Sequence, residues 1–135
     1  MTTLLSVDAV LALRAYAFLG LPVGLATGLA LGLVARSEGG WGGYASFRRR
    51  AARLAHICAV MLPVIAGVFS LLLAAGPFEP AAAGWGARLW IAGGIALALS
   101  LFAAAWRPRL TVLLPVPAVA VAAGALAFAV AFASA

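Results

Sequence analysis

Four long runs without a formally charged side chain constrain this chain more than any other feature: Ala15–Ala35, Leu54–Phe78, Leu89–Trp106 and Leu110–Ala135. The first contains 21 residues. At about 1.5 Å of helical rise per residue it covers roughly 31 Å, the thickness of a hydrocarbon core. The runs are continuous rather than alternating, so they predict helices and not barrel strands. The expected fold is all-α: a polytopic integral membrane protein with four transmembrane helices, at about 8–35, 50–76, 87–106 and 109–133. They form one domain, a compact antiparallel bundle.

Composition excludes the soluble alternatives. Of 135 residues, 67% are hydrophobic and 9% charged, against roughly 45–50% and about 25% in a soluble domain. A globule of this size has too little interior to hide so much apolar surface. The N-terminal stretch does not follow the signal-peptide pattern, because Asp8 and no basic residue precede its apolar part. Ser6 is placed to cap the first helix, with Asp8 in the first turn.

The positive charge consists of nine arginines opposed by Asp8, Glu38 and Glu79. They flank the apolar runs, which points to anionic headgroups rather than nucleic acid. Arg36, Arg48, Arg49, Arg50 and Arg53 lie in the first connection, and Arg107 and Arg109 in the third. Only Arg14 and Arg88 belong to the other side. Positive-inside asymmetry therefore predicts a multi-pass protein of a bacterial-type inner (plasma) membrane, with both termini outside, on the periplasmic face. Trp41, Tyr44 and Trp106 read as inner interfacial anchors, and Tyr16, Trp85 and Trp90 as outer ones. Arg48, Arg49, Arg50, Arg53, Arg107 and Arg109 read as contacts to lipid or anionic headgroups.

The residues needed for several familiar chemistries are missing. Cys58 is the only cysteine, so neither an internal disulfide nor a redox pair can form. No carboxylate lies deep in a span, as a small multidrug exporter requires, and no asparagine is present for a fluoride-channel pore. A single histidine cannot serve two haems, and neither a Ser–His nor an Asp–Asp protease pair is available. The segment Gly39–Gly43 reads as flexible and lacks the Lys-Ser/Thr ending of a phosphate loop.

Gly20, Gly24, Gly28 and Gly32 recur every four residues and form a glycine zipper, a face that lets a second helix approach closely. Its partner is either the second or fourth helix of this chain, or another protein or copy. Pro22, Pro63, Pro115 and Pro117 free the carbonyls of Phe18, Ala59, Thr111 and Leu113, and the last pair predicts a bend inside the fourth helix. His56 is one turn beyond Arg53 and is expected on the same face. Together with Arg14, these are the candidate cofactor contacts. A haem or quinone at His56 would have to be completed by a partner chain, because no second strong ligand is present. The plain alternatives are a histidine bonded to a backbone carbonyl and an Arg14 that snorkels to the headgroups.

No catalytic constellation is found. The expected function is therefore a non-catalytic integral subunit of a larger membrane complex, of respiratory or photosynthetic electron-transfer type, with other membrane subunits and lipids as partners. A homo-oligomeric channel or carrier and a haem- or quinone-binding protein are the rival readings.

Overall fold

The computed structural model describes residues 2–37 and 39–134 and consists of helices: α1 (Thr2–Ala35), a 3-10 turn (Gly40–Gly42), α2 (Phe47–Ala75), α3 (Pro80–Trp106), a 3-10 segment (Pro108–Leu113) and α4 (Pro115–Ala133). Among the described residues there is no strand. Asp8–Val34, Phe47–Ala75, Pro80–Trp106 and Pro108–Ala133 are each long and apolar enough to cross a membrane. Glu38 and Ala135, at the edges of the predicted first and fourth spans, lie outside the described residues.

Local chemistry moves several helix ends away from where hydropathy alone puts them. Nothing in Thr2–Leu5 stops a helix, so α1 starts at Thr2. Ser6 then falls inside the helix rather than capping it, and Asp8 lies beyond the first turn. Ser46 caps α2, its Oγ accepting from the Arg49 N–H at 3.2 Å. At α3, the Glu79 carboxylate accepts from the Ala81 N–H at 2.9 Å and from the Ala82 N–H, with Pro80 at the first helical position. Those bonds hold the Glu79 carboxyl below the usual carboxylate range. The second connection thus shrinks to residues 76–79, and Arg88 belongs to α3. The Pro115–Pro117 pair does not bend a continuous helix. The chain winds as a 3-10 segment up to Leu113, and α4 begins afresh at Pro115, where a missing N–H costs nothing.

The helices alternate in direction, but they do not close into a four-sided bundle. α3 packs against α1, α2 and α4, whereas among the described residues the α1 and α4 backbones are not in contact. Glycines allow a close backbone approach of α3 and α4. A methyl group at Gly124 would lie 2.9 Å from the Trp90 nitrogen, and one at Gly93 would lie 2.9 Å from the Val121 nitrogen. Gly86 leaves room for Phe128, which is 1% exposed. Phe128 reaches over to α2, its ring centroid 4.2 Å from that of Phe69. Trp90 is not an interfacial anchor. It is buried, edge-on to Phe69 at 5.1 Å, and its indole N–H donates to the Leu62 carbonyl at 3.1 Å. Burial of the indole is tolerated because that N–H has a partner. The Glu79 N–H donates to the Ala131 carbonyl at 2.9 Å and ties the start of α3 to the end of α4.

The α3–α4 approach sets a clear contrast between two glycines. At Gly124 a methyl group meets backbone atoms that cannot move aside, whereas at Gly84 none of the described residues outside its own stretch of helix comes within 4 Å. Gly124→Ala is expected to destabilise the chain by about 1–3 kcal/mol through overpacking. Gly84→Ala should be neutral, or stabilise by up to about 1 kcal/mol through helix propensity. Unfolding of both variants in mixed detergent micelles measures the difference.

Candidate functional site

The glycine face of α1 lies against α2 in antiparallel register. Methyl groups would meet Pro63 at Gly20, the Ala59 carbonyl oxygen at 2.7 Å at Gly24, and the His56 ring at 2.6 Å at Gly28. Pro63 deprives the Ala59 carbonyl of its helical donor, and Gly24, lacking a side chain, lets that oxygen face the Cα of α1. The partner of these three glycines is therefore the second helix of the same chain. Gly32 is different: among the described residues, nothing outside its own stretch of helix lies within 4 Å of a methyl group there.

His56 is held in this seam by the backbone of α1. Its Nδ1 is 3.1 Å from the Gly24 carbonyl oxygen and 3.0 Å from Thr27 Oγ1. The Thr27 hydroxyl donates to the same carbonyl at 2.6 Å. A consistent network has the Nδ1–H donating to Gly24 and Thr27, the tautomer being assigned from these partners. That leaves Nε2 as the acceptor nitrogen, while the ring rests on Gly28. Arg53 does not share this surroundings. Its guanidinium stacks on the Tyr44 ring, 4.1 Å from the centroid. Arg14 is exposed, and it precedes Gly28 by 14 residues, about 21 Å along a helix. The structure does not bring His56, Arg53 and Arg14 to a common ligand.

Beyond Gly28 the two backbones diverge, although Leu31 of α1 still packs on the Ala51–Ala52–Ala105 cluster. The first turns of α2 are drawn toward α3, with Ala51 and Ala52 packed on Ala105 and Arg48 Nε donating to the Ala105 carbonyl at 3.2 Å. A cleft of about 540 Å³ opens between the end of α1 and the start of α2, lined by Leu31, Gly32, Val34, Trp41, Tyr44, Arg49 and Arg53. The Gly40–Gly42 turn closes one side. The segment read as flexible is wound there into a 3-10 turn, with Trp41 in the left-handed region at φ 55°. Such backbone is uncommon for a non-glycine residue. Two contacts hold it: Trp41 packs edge-on against Trp106 at 5.1 Å, and its carbonyl accepts from the Ser46 hydroxyl at 2.7 Å. Arg49 also approaches the Tyr44 ring, at 5.9 Å. Arg50, Arg107 and Arg109 are exposed at the same end of the molecule.

Sequence reasoning treated Trp41 and Tyr44 as membrane anchors and Arg49 and Arg53 as part of a charge cluster. It missed that the four line one cleft. The available signal was the glycine-flanked Trp41 just ahead of the Ser46 cap, which folds the connection back on itself. Comparison with known protein families, with curated proteins and with solved structures found no match.

The seam makes a prediction about coupling. His56→Ala is expected to cost about 1 kcal/mol, a typical net hydrogen bond. Gly28→Ala should destabilise the wild-type chain, because its methyl group displaces the imidazole. The same substitution should become neutral or stabilising in the His56→Ala background. Detergent unfolding of the four proteins of this cycle measures the coupling. Equal effects of Gly28→Ala in both backgrounds would contradict the contact.

Proposed function

We propose that the chain is a multi-pass protein of a bacterial-type plasma membrane, with the arginine-rich end cytoplasmic and both termini outside, serving as a non-catalytic integral subunit of a larger membrane assembly. The observation that supports this is how its polar groups are used. The hydroxyls of Thr27, Ser70, Ser100, Thr111 and Ser134 each donate to a carbonyl of their own segment. The Trp90 indole and the His56 ring bond to carbonyls of neighbouring helices. Polar side chains of the helices thus serve to join helices and to satisfy backbone. What faces outward is apolar: Phe18 is 76% exposed, Val116 74% and Leu29 69%. Such a surface suits lipid and other membrane helices.

The orientation rests on the arginines. Seven stand at one end of the helices and only Arg14 and Arg88 toward the other. Each arginine near an anionic cytoplasmic leaflet gains about 1 kcal/mol.

Two measurements on one tagged protein test this reading. A reporter inserted between Gly43 and Tyr44 is expected to be cytoplasmic, and one fused after Ser134 periplasmic. The particle extracted from native membranes in mild detergent should contain other membrane chains. Reporters on the same side would contradict the orientation. A particle made only of copies of this chain would contradict the subunit assignment and favour a channel or carrier.

A further inference from the structure

The cleft at the arginine-rich end has a ligand chemistry of its own, independent of which assembly the chain joins. Arg49 and Arg53 are four residues apart on α2, where like charges on neighbouring turns repel. Here they do not splay into solvent. Both are partly buried, and both guanidiniums converge on one ring, at 5.9 and 4.1 Å from the Tyr44 centroid. Attraction to the ring face uses none of the guanidinium N–H groups, which stay available as donors. An anion between two such edges turns repulsion into charge-assisted hydrogen bonds.

No described residue lining the cleft is acidic. In the sequence, the arginine-rich end has seven arginines against the single acid Glu38, which lies outside the described residues. The opposite wall is apolar. Leu31, Gly32 and Val34 belong to the last turns of α1, and Gly32 presents no side chain to the space. The volume, about 540 Å³, is within the range of pockets that hold small molecules, roughly 300–1,000 Å³. The position of the cleft matters as much as its lining, for it lies where the apolar runs of α1 and α2 meet the basic connection. A ligand that satisfies both walls has an anionic phosphate and a hydrocarbon portion.

We propose that this cleft binds one anionic phospholipid, its phosphate held by Arg49 and Arg53 beside Tyr44 and the upper part of an acyl chain lying over Gly32 between Leu31 and Val34. Trp41 walls the site. Its left-handed backbone is held by the Trp106 ring and the Ser46 hydroxyl, so the wall is in place before the lipid arrives.

Native mass spectrometry of the full chain in non-ionic detergent tests the site, with added phosphatidylglycerol, phosphatidylcholine or the chain-free headgroup ester glycerophosphoglycerol. One phosphatidylglycerol should be retained per chain, in preference to phosphatidylcholine. Arg49→Gln and Arg53→Gln should each weaken retention by roughly tenfold or more, the worth of a charge-assisted hydrogen bond. Gly32→Phe should abolish retention by filling the cleft, and because it enters open space circular dichroism and thermal unfolding should show the fold intact. The double variant Arg107→Gln, Arg109→Gln, which alters the same end but not the cleft, should retain lipid as wild type does. Equal retention of phosphatidylcholine, or equal loss in the Arg107, Arg109 variant, would overturn the proposal in favour of diffuse attraction. Full competition by the headgroup ester at equal concentration would overturn the lipid in favour of a soluble phosphate ester. Retention by Glu38→Gln but not by wild type would overturn it as well, with the chain's own carboxylate taking the place of the anion.

Discussion

How closely two helix backbones can approach governs this structure. Between apolar helices of this kind, burial of side chains from water supplies little net attraction inside lipid. Dispersion contacts and the pairing of residual polar groups must hold the helices together. Both grow steeply as the axes draw near. Glycine permits that approach at Gly24, Gly28, Gly93 and Gly124, where a methyl group would come within 3.0 Å of a neighbouring atom. At Gly24 the close neighbour is the carbonyl that Pro63 leaves without its helical donor, so a helix-breaking residue and a side-chain-free residue are matched across the seam.

The same constraint determines where the molecule is closed and where it is open. α4 is held by α3 at backbone distance, and α1 follows α2 that closely only as far as Gly28. His56 marks the last approach at that distance, with its ring on Gly28 and its Nδ1 bonded to Gly24 and Thr27, and beyond it Leu31 touches Ala51–Ala52 by side chain alone. One turn further on, Arg48 and the Ala51–Ala52 surface commit α2 to α3 instead. The cleft beside Gly32 is therefore a consequence of the register, not an accident of loop shape. A histidine fixed in this way is a strut between helices. Its remaining acceptor nitrogen is what an oriented ligand histidine also presents, yet neither Arg53 nor Arg14 is arranged around it.

Much of the helix layout was legible in the sequence, because charge is excluded from long apolar runs regardless of tertiary detail. The ends were less legible. Ser46 and the Glu79–Pro80 pair are ordinary capping signals, but the hydropathy of the neighbouring residues masked them, and α3 begins seven residues before the predicted start at 87. The glycines of α1 stood out by their four-residue repeat. Those joining α3 to α4 did not, because Gly86, Gly93 and Gly124 are distributed over two helices and share no short period. Trp90 reads as an interfacial anchor in the sequence because aromatic residues favour both the membrane boundary and a core that accepts their N–H. Only the position of the Leu62 carbonyl distinguishes the two. The cleft is hard to read for a similar reason: the glycines around Trp41 mark a turn, but no linear spacing shows that it brings Tyr44 to Arg49 and Arg53.

The glycine face of α1 is occupied by α2 of the same chain. A methyl group at Gly67 would lie 3.5 Å from the Ala17 Cβ, which is within the separation of about 3.5–4.5 Å that a disulfide spans. The direct measurement is oxidation of Ala17→Cys, Gly67→Cys in native membranes, with Cys58→Ala removing the natural thiol. Digestion between the two helices should then leave the fragments joined until reduction, with the undigested chain migrating as a monomer. Fragments that separate without reduction, or a cross-linked dimer in place of the monomer, would contradict the account.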